Sequence, residues 1–242
     1  MNNVKKTIGW ADYTINPIKG LCPMACSYCY ARRMYKRFKW DGTIRFSWDE
    51  FGRVRYGIKK LKQPSRIFVG STMELFSCSI LPTWLKTIFS LAKESPQHTF
   101  IFLTKLPENL AKWSPFPDNC YIGASATNAQ QLSNAYCGLG SIKATVKFLS
   151  YEPLLTNVVM QEQFLKDAGI NWVIIGQQTP ISAKTSPKIE WIKEIVDAAD
   201  KAVIPVFLKD NLFELLDIES SETDFAFNSK GELRQEFSKV ML

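Results

Sequence analysis

Short apolar runs recur along the chain at 13–18, 66–71, 98–105, 120–125, 146–153, 171–178 and 204–210. Most of them are continuous rather than alternating and rich in Val, Ile and Phe, which predicts strands buried on both faces of a parallel sheet. The first, YTINPI, is the weakest. Between the runs, apolar residues fall at helical spacing. Residues 81–95 place Leu81, Leu85, Ile88, Phe89 and Ala92 on one face, and residues 190–202 do the same with Ile192, Ile195, Val196 and Ala199. Shorter helices are predicted at 128–140 and 160–169, the second ending on Gly169 where a C-terminal cap belongs. Strand and helix alternate about seven times, so the fold class is α/β, as a β/α barrel or an open sheet. No repeat or linker breaks the pattern. Residues 1–242 therefore read as a single domain, with the polar stretch 217–242 as a short C-terminal appendage.

The strand ends carry the chemistry. The runs finish in Gly70-Ser71-Thr72, Thr104-Lys105, Ser125-Ala126-Thr127-Asn128, Ser150-Tyr151-Glu152, Gln177-Gln178-Thr179 and Lys209-Asp210. In β/α barrels the C-terminal strand ends form the active face. Any one Ser or Gly there is an ordinary loop entry. Charges abutting a buried strand need partners, so Lys105, Glu152 and Lys209 stand out. They read either as ligands of an anionic group and a ribose or as one structural charge network.

Composition bounds this picture. Hydrophobic residues make up 46 % of 242, enough for a sizeable core. No apolar run is long enough to span a membrane, and the first residues lack a signal-peptide core, so a cytoplasmic protein without a membrane partner is expected. The net charge of +7 admits a nucleic-acid partner or plain solubility. The stretch 32–40 sets Arg32, Arg33, Lys36, Arg37 and Lys39 among Tyr35, Phe38 and Trp40, which suits either a grip on phosphates and bases or a solvated helix face.

Six cysteines are too few for a disulfide scaffold, and three of them, Cys22, Cys26 and Cys29, fall within eight residues just after the first run. Thiolates suit iron–sulfur clusters and zinc. A closed zinc site needs four ligands; His98 lies at the far end of its strand, and Cys78, Cys120 and Cys137 are scattered. A loop of this spacing can wrap the corner of a [4Fe–4S] cubane and leave one iron open. S-adenosylmethionine (SAM) can chelate an open iron through its amino and carboxylate groups and be cleaved reductively to a 5′-deoxyadenosyl radical.

This C-x3-C-x2-C spacing, with Tyr28 before the last cysteine, resembles the signature of the radical SAM superfamily. WADYTINPIKG, IFVGSTMELF, FIFLTKLPENL, YIGASATN, VKFLSYEPLL, INWVIIGQQ and PVFLKD further resemble, in order, a family of phage and bacterial radical-SAM-like proteins of unassigned function, across roughly 8–212. The resemblance implies a partial (β/α)6-type barrel, with Cys22, Cys26 and Cys29 on the cluster. It implies SAM contacts from Gly70, Ser71 and Thr72 to the amino group and from Ser125 and Asn128 to the ribose or carboxylate. Asn128 is equally a helix N-cap, Tyr28 either contacts the adenine or is core, and Glu74 either supplies a carboxylate or lies on the surface. Lys105 and Glu152 are candidate catalytic groups. So is Cys78, because in spore photoproduct lyases, which the chain resembles in general plan, a cysteine donates a hydrogen atom; the alternative is an inert loop cysteine. The chain departs from the family pattern at Gly176-Gln177-Gln178, where Gly-Gly-Glu is common, and at Cys78, where His is common. Expected partners are SAM, an unidentified substrate and a reductant such as flavodoxin or ferredoxin. The competing expectation is a non-catalytic zinc- or cluster-binding protein that binds nucleic acid on a degenerate radical SAM fold.

Overall fold

The computed structural model describes residues 1–217 and 221–238. In chain order the strands are β1 (Asn2–Asn3), β2 (Tyr13–Ile15), β3 (Ile18–Lys19), β4 (Arg45–Phe46), β5 (Arg66–Val69), β6 (Thr99–Thr104), β7 (Cys120–Ser125), β8 (Val146–Tyr151), β9 (Trp172–Ile175) and β10 (Val206–Leu208). The helices are α1 (Tyr30–Phe38), α2 (Trp48–Lys59), α3 (Pro82–Lys93), α4 (Ala129–Gly140), α5 (Glu162–Asp167), α6 (Ile189–Lys201) and α7 (Phe213–Leu216). Every predicted strand and helix forms. Gly169 follows α5 in the left-handed conformation (φ 66°) that a glycine adopts without strain. The helix α2 was not expected, because its stripe is narrow: only Val54 and Ile58 are buried. Its start was nonetheless written in the chain, since Ser47 accepts a hydrogen bond from the Glu50 N–H as an N-cap.

One sheet runs β1-β2-β5-β6-β7-β8-β9-β10, parallel throughout except for β1. Among the described residues β10 does not pair with β2, so this is a partial barrel. Its curl is visible in one residue. In a flat sheet β5 and β9 would stand about 19 Å apart, four strand spacings. Yet the Trp10 ring lies 4.8 Å from Phe68 of β5 and 6.4 Å from Trp172 of β9. The sheet therefore wraps around Trp10. Its inner face carries Phe68, Ile101, Tyr121, Phe148, Trp172 and Phe207, while the outer face packs the larger core against the helices.

Both chain ends help seal this interior. The segment before β2 crosses the open side, where a Cβ on Gly9 would lie 3.1 Å from Phe207. At the other end, Gln235 and Phe237 are held against the barrel. Gln235 bridges Phe207, Phe237 packs on Trp172 and Phe207, and the Arg66 guanidinium lies 4.0 Å from the Phe237 ring centre. Residues 218–220 and 239–242 of the expected appendage lie outside the described residues.

Candidate functional site

A cavity of about 770 Å³ opens at the C-terminal ends of the parallel strands. That is a common size for a small-molecule site. One wall is the cysteine loop. Ala25 sits in the left-handed region (φ 49°) and turns the chain between Cys22 and Cys26. A non-glycine residue held there stores strain, and such strain gathers at functional sites. The Cys29 N–H donates to the Cys26 carbonyl, and α1 begins at the next residue. The helix then braces the loop: Arg32 donates to the Cys22 carbonyl at 2.9 Å, and the Tyr35 hydroxyl accepts from the Gly20 N–H. Cys22, Cys26, Cys29, Met24 and Tyr28 all line the cavity.

Among the described residues, no three His, Cys, Asp or Glu side chains converge as ligands of a single ion. A cluster asks for something else. Each of its cysteines takes a different iron, so the sulfurs are held apart by the width of the cluster. Burial raises the Cys22 thiol, while the N–H groups of Met24 and Glu74 act in the opposite direction. Such donors stabilise and tune iron-bound sulfur. Three thiols on one loop at one cavity wall are the donor set that a cubane takes at three corners.

Opposite the loop, β5 turns at Gly70. Its φ of +76° and the 2.7 Å that would separate a Cβ from Leu75 leave room only for glycine. Asn16, just past β2, holds the turn: its side-chain oxygen accepts from the Thr72 N–H and hydroxyl, and its amide donates to Ser71. Gly70, Ser71 and Thr72 line the cavity. Glu74 is buried rather than on the surface. It accepts from the Thr104 hydroxyl at 2.6 Å and from the N–H groups of Lys105 and Phe76. Burial pushes its carboxyl up, and those donors oppose the shift. With its oxygens so engaged, Glu74 ties the β5 loop to the end of β6.

The far wall is made by strand ends in lateral register. Ser125 of β7 pairs with Ser150 of β8, Ser150 with Ile174 of β9, and Ile174 with Phe207 of β10. Two residues further along, the same inward face presents Glu152, Gly176 and Lys209. Lys209 reaches across Gly176 to Glu152 at 3.0 Å, and a Cβ on Gly176 would meet Lys209 at 2.8 Å and Glu152 at 3.2 Å. The Trp10 indole N–H donates to the other Glu152 oxygen at 3.3 Å. The pair is about four-fifths buried, which makes it a fixed polar feature of the wall. Lys105 stands apart, its ammonium 5.5 Å from the Tyr28 ring centre. The three charged groups are therefore a pair and a separate cation, not one network. Burial raises the Tyr28 hydroxyl, and the nearby Lys105 charge pulls it back.

Most of the expected residues thus share one cavity: Cys22, Cys26, Cys29, Tyr28, Gly70, Ser71, Thr72, Lys105, Ser125 and Glu152. Two do not line it. Cys78 is exposed, one residue past the buried pair Phe76 and Ser77. Asn128 caps α4, its side chain accepting from the Gln131 N–H at 2.9 Å. At the departure from the family pattern, the Gln177 side chain is taken up structurally, bonded to the Asn211 carbonyl and the Ser186 hydroxyl. Trp10, Asn16 and the spacer Gly176 were not anticipated, and Arg32, read as a phosphate grip or a solvated helix residue, braces the cysteine loop instead. The signal present was the position of Gly176 level with two charges; Asn16 lay inside the run 13–18, and only the earlier end of β2 at Ile15 places it past the strand.

Against solved structures, the chain is similar to three forms of spore photoproduct lyase. A mutant with bound AdoMet and dinucleoside spore photoproduct has a TM-score of 0.52 at 14 % identity, covering 87 % of this chain and 58 % of that one. Another mutant has 0.58 at 12 %, covering 86 % and 79 %. A complex with dinucleoside spore photoproduct has 0.55 at 12 %, covering 83 % and 63 %. The chain thus spans less than two thirds of two of these proteins. At such identities the likeness establishes the fold alone, a mostly parallel α/β partial barrel. No curated protein matches by sequence. A family profile described as "Protein of unknown function (DUF5131)" matches residues 5–215, a span that contains the cysteine loop and every strand end of the cavity. The chain belongs to the DUF5131 family, and its fold is a partial barrel similar to that of spore photoproduct lyase.

Proposed function

We propose that this protein is a radical SAM enzyme, of the phage and bacterial kind its segments resemble, acting on a substrate held in the cavity beside the cysteine loop. The observation that carries the reading is the shared cavity: three cysteines at C-x3-C-x2-C spacing face Gly70–Thr72, Lys105, Ser125 and Glu152 across one space. A [4Fe–4S] cluster with an open iron, together with SAM, would supply a 5′-deoxyadenosyl radical there. The chain's own residues do the rest. Cys22, Cys26 and Cys29 hold the cluster. Ser71 and Thr72, pinned by Asn16, and Ser125 offer hydroxyls to polar groups of SAM. Lys105 offers a cation to a carboxylate or an anionic substrate, and the Glu152–Lys209 pair bounds the site. The spore photoproduct lyase with bound AdoMet supports the reading through its fold. A reductant such as flavodoxin or ferredoxin would deliver the electron.

Anaerobic reconstitution with iron and sulfide tests this. The expected product is a brown protein with about four irons per chain, which releases 5′-deoxyadenosine from SAM on reduction. Cys26→Ala should lose both properties. A colourless protein holding a single zinc, or turnover persisting in Cys26→Ala, overturns the proposal. A second reading rests on Gln178, an amide that lines the cavity where the family pattern has a carboxylate, next to Gln177, whose side chain is engaged by Asn211 and Ser186. It describes a protein that binds the cluster but does not cleave SAM. Cluster loading without 5′-deoxyadenosine release would select it.

A further inference from the structure

We propose that α1 and the residues just beyond it form a docking surface for a single strand of nucleic acid, leading to the mouth of the cavity. The helix carries Arg32, Arg33, Lys36 and Arg37, Lys39 caps it, and no acidic residue lies between Tyr30 and Trp40. Arg32 and Arg33 have internal partners, the carbonyls of Cys22 and Thr179. Lys36, Arg37 and Lys39 are exposed, and among the described residues none of them forms a salt bridge.

Aromatic side chains are exposed among these cations. Phe38 is 51 % and Trp40 50 % exposed, and the two rings stack at 5.2 Å with an interplanar angle of 21°. The Arg37 guanidinium lies 5.4 Å from the Phe38 ring centre. Exposed rings cost solvation that burial would recover, so a stacked pair left in water beside unpaired cations calls for a partner. Phosphodiester charge complements the lysines and arginine, and unpaired bases offer π-faces to the rings. Those are the two features that single-strand binding surfaces combine. A duplex keeps its bases stacked on one another and offers the rings nothing comparable.

The surface is continuous with the site. Tyr30, the first residue of α1, lines the cavity beside Cys29, and Arg33 is bonded to Thr179, which also lines it. Phe38 stands about 12 Å further along the helix, at 1.5 Å per residue. The inference rests on the proposed radical chemistry only for what happens to the strand. Docking itself requires no SAM cleavage.

The test is a fluorescence-anisotropy titration of the full chain with a fluorescein-labelled oligothymidylate over a range of salt. Phe38→Ala and Trp40→Ala should each weaken binding by about fivefold or more, while leaving affinity for a duplex unchanged. Lys36→Glu with Arg37→Glu should reduce the slope of log K against log salt by about 0.7 per lost phosphate contact. Melting by circular dichroism verifies that each variant is folded. Wild-type affinity in the aromatic variants overturns the proposal. So does an equal loss of affinity for heparin, which carries charge without bases. Oligonucleotide binding without 5′-deoxyadenosine formation would sink the radical chemistry and leave the docking surface standing; SAM cleavage by a protein that binds no oligonucleotide would do the reverse.

Discussion

Two ion pairs hold this molecule at opposite ends of its barrel. At the end away from the cavity, Arg66 grips Asp12 with two side-chain N–H groups and its own backbone N–H. Burial by itself would raise the Asp12 carboxyl, but these donors and the Arg66 charge outweigh it and hold the pKa below 3.8. An aspartate held low in the folded state stabilises the protein above its unfolded pKa and loses that contribution as pH falls through the folded value. Asp12→Asn should therefore cost about 1–2 kcal/mol at neutral pH. The difference from wild type should shrink as pH drops below about 3.8, which chemical denaturation at several pH values would measure. At the cavity end, Lys209→Met would leave Glu152 buried with only the Trp10 indole and Ser150 hydroxyl for company. A loss of about 1–3 kcal/mol is expected. Adding Glu152→Gln should restore some of it, and a double variant no more stable than the single would refute the pairing.

At the scale of elements, the inward face of the sheet sets a bulky ring against a missing side chain. Leu103, Gly123, Phe148 and Trp172 lie in lateral register across β6 to β9. The Phe148 ring occupies the space over Gly123, where a Cβ would fall 2.2 Å from it. The ring cannot easily yield, since it also packs on Trp10 and Trp172. Gly123→Ala should therefore destabilise by about 1–3 kcal/mol through overpacking, seen as a lower midpoint at unchanged denaturant slope. Gly176 has the corresponding role nearer the cavity, where its missing side chain lets β8 and β10 share an ion pair across β9.

For the whole molecule, the cavity is walled by segments far apart in the chain: the cysteine loop, the β5 turn and the ends of β7 to β10. A ligand that fills it ties these together. SAM at a hundred times its dissociation constant would add about 2.7 kcal/mol. In a chain of this length that is a rise in melting temperature of about 5–10 °C. The rise should appear in reconstituted protein and vanish in Cys26→Ala. An equal rise in both would place SAM away from the cluster. Among the described residues no helix is long and apolar enough to cross a membrane.

Much of this was legible in one dimension. Continuous apolar runs give buried parallel strands because both faces must be dry, and period-3.6 stripes give covering helices because one face must be. The cysteine spacing is equally local, since a loop carries its ligands wherever the fold puts it. The helix α2 escaped notice because its buried stripe is so thin. The sequence by itself determined the alternation of strand and helix, the end of the barrel where polar groups collect and the three thiols. Only the tertiary structure decided which of those groups meet. It turned Cys78 outward, used Asn128 as a cap, buried Glu74 between two strand ends, separated Lys105 from the Glu152–Lys209 pair, brought Trp10 into the interior and packed the half-buried Phe237 against it. The reason is physical: local patterns set which face of an element is apolar, but the curl of the sheet brings strands several places apart onto one ring, and no local pattern encodes that closeness.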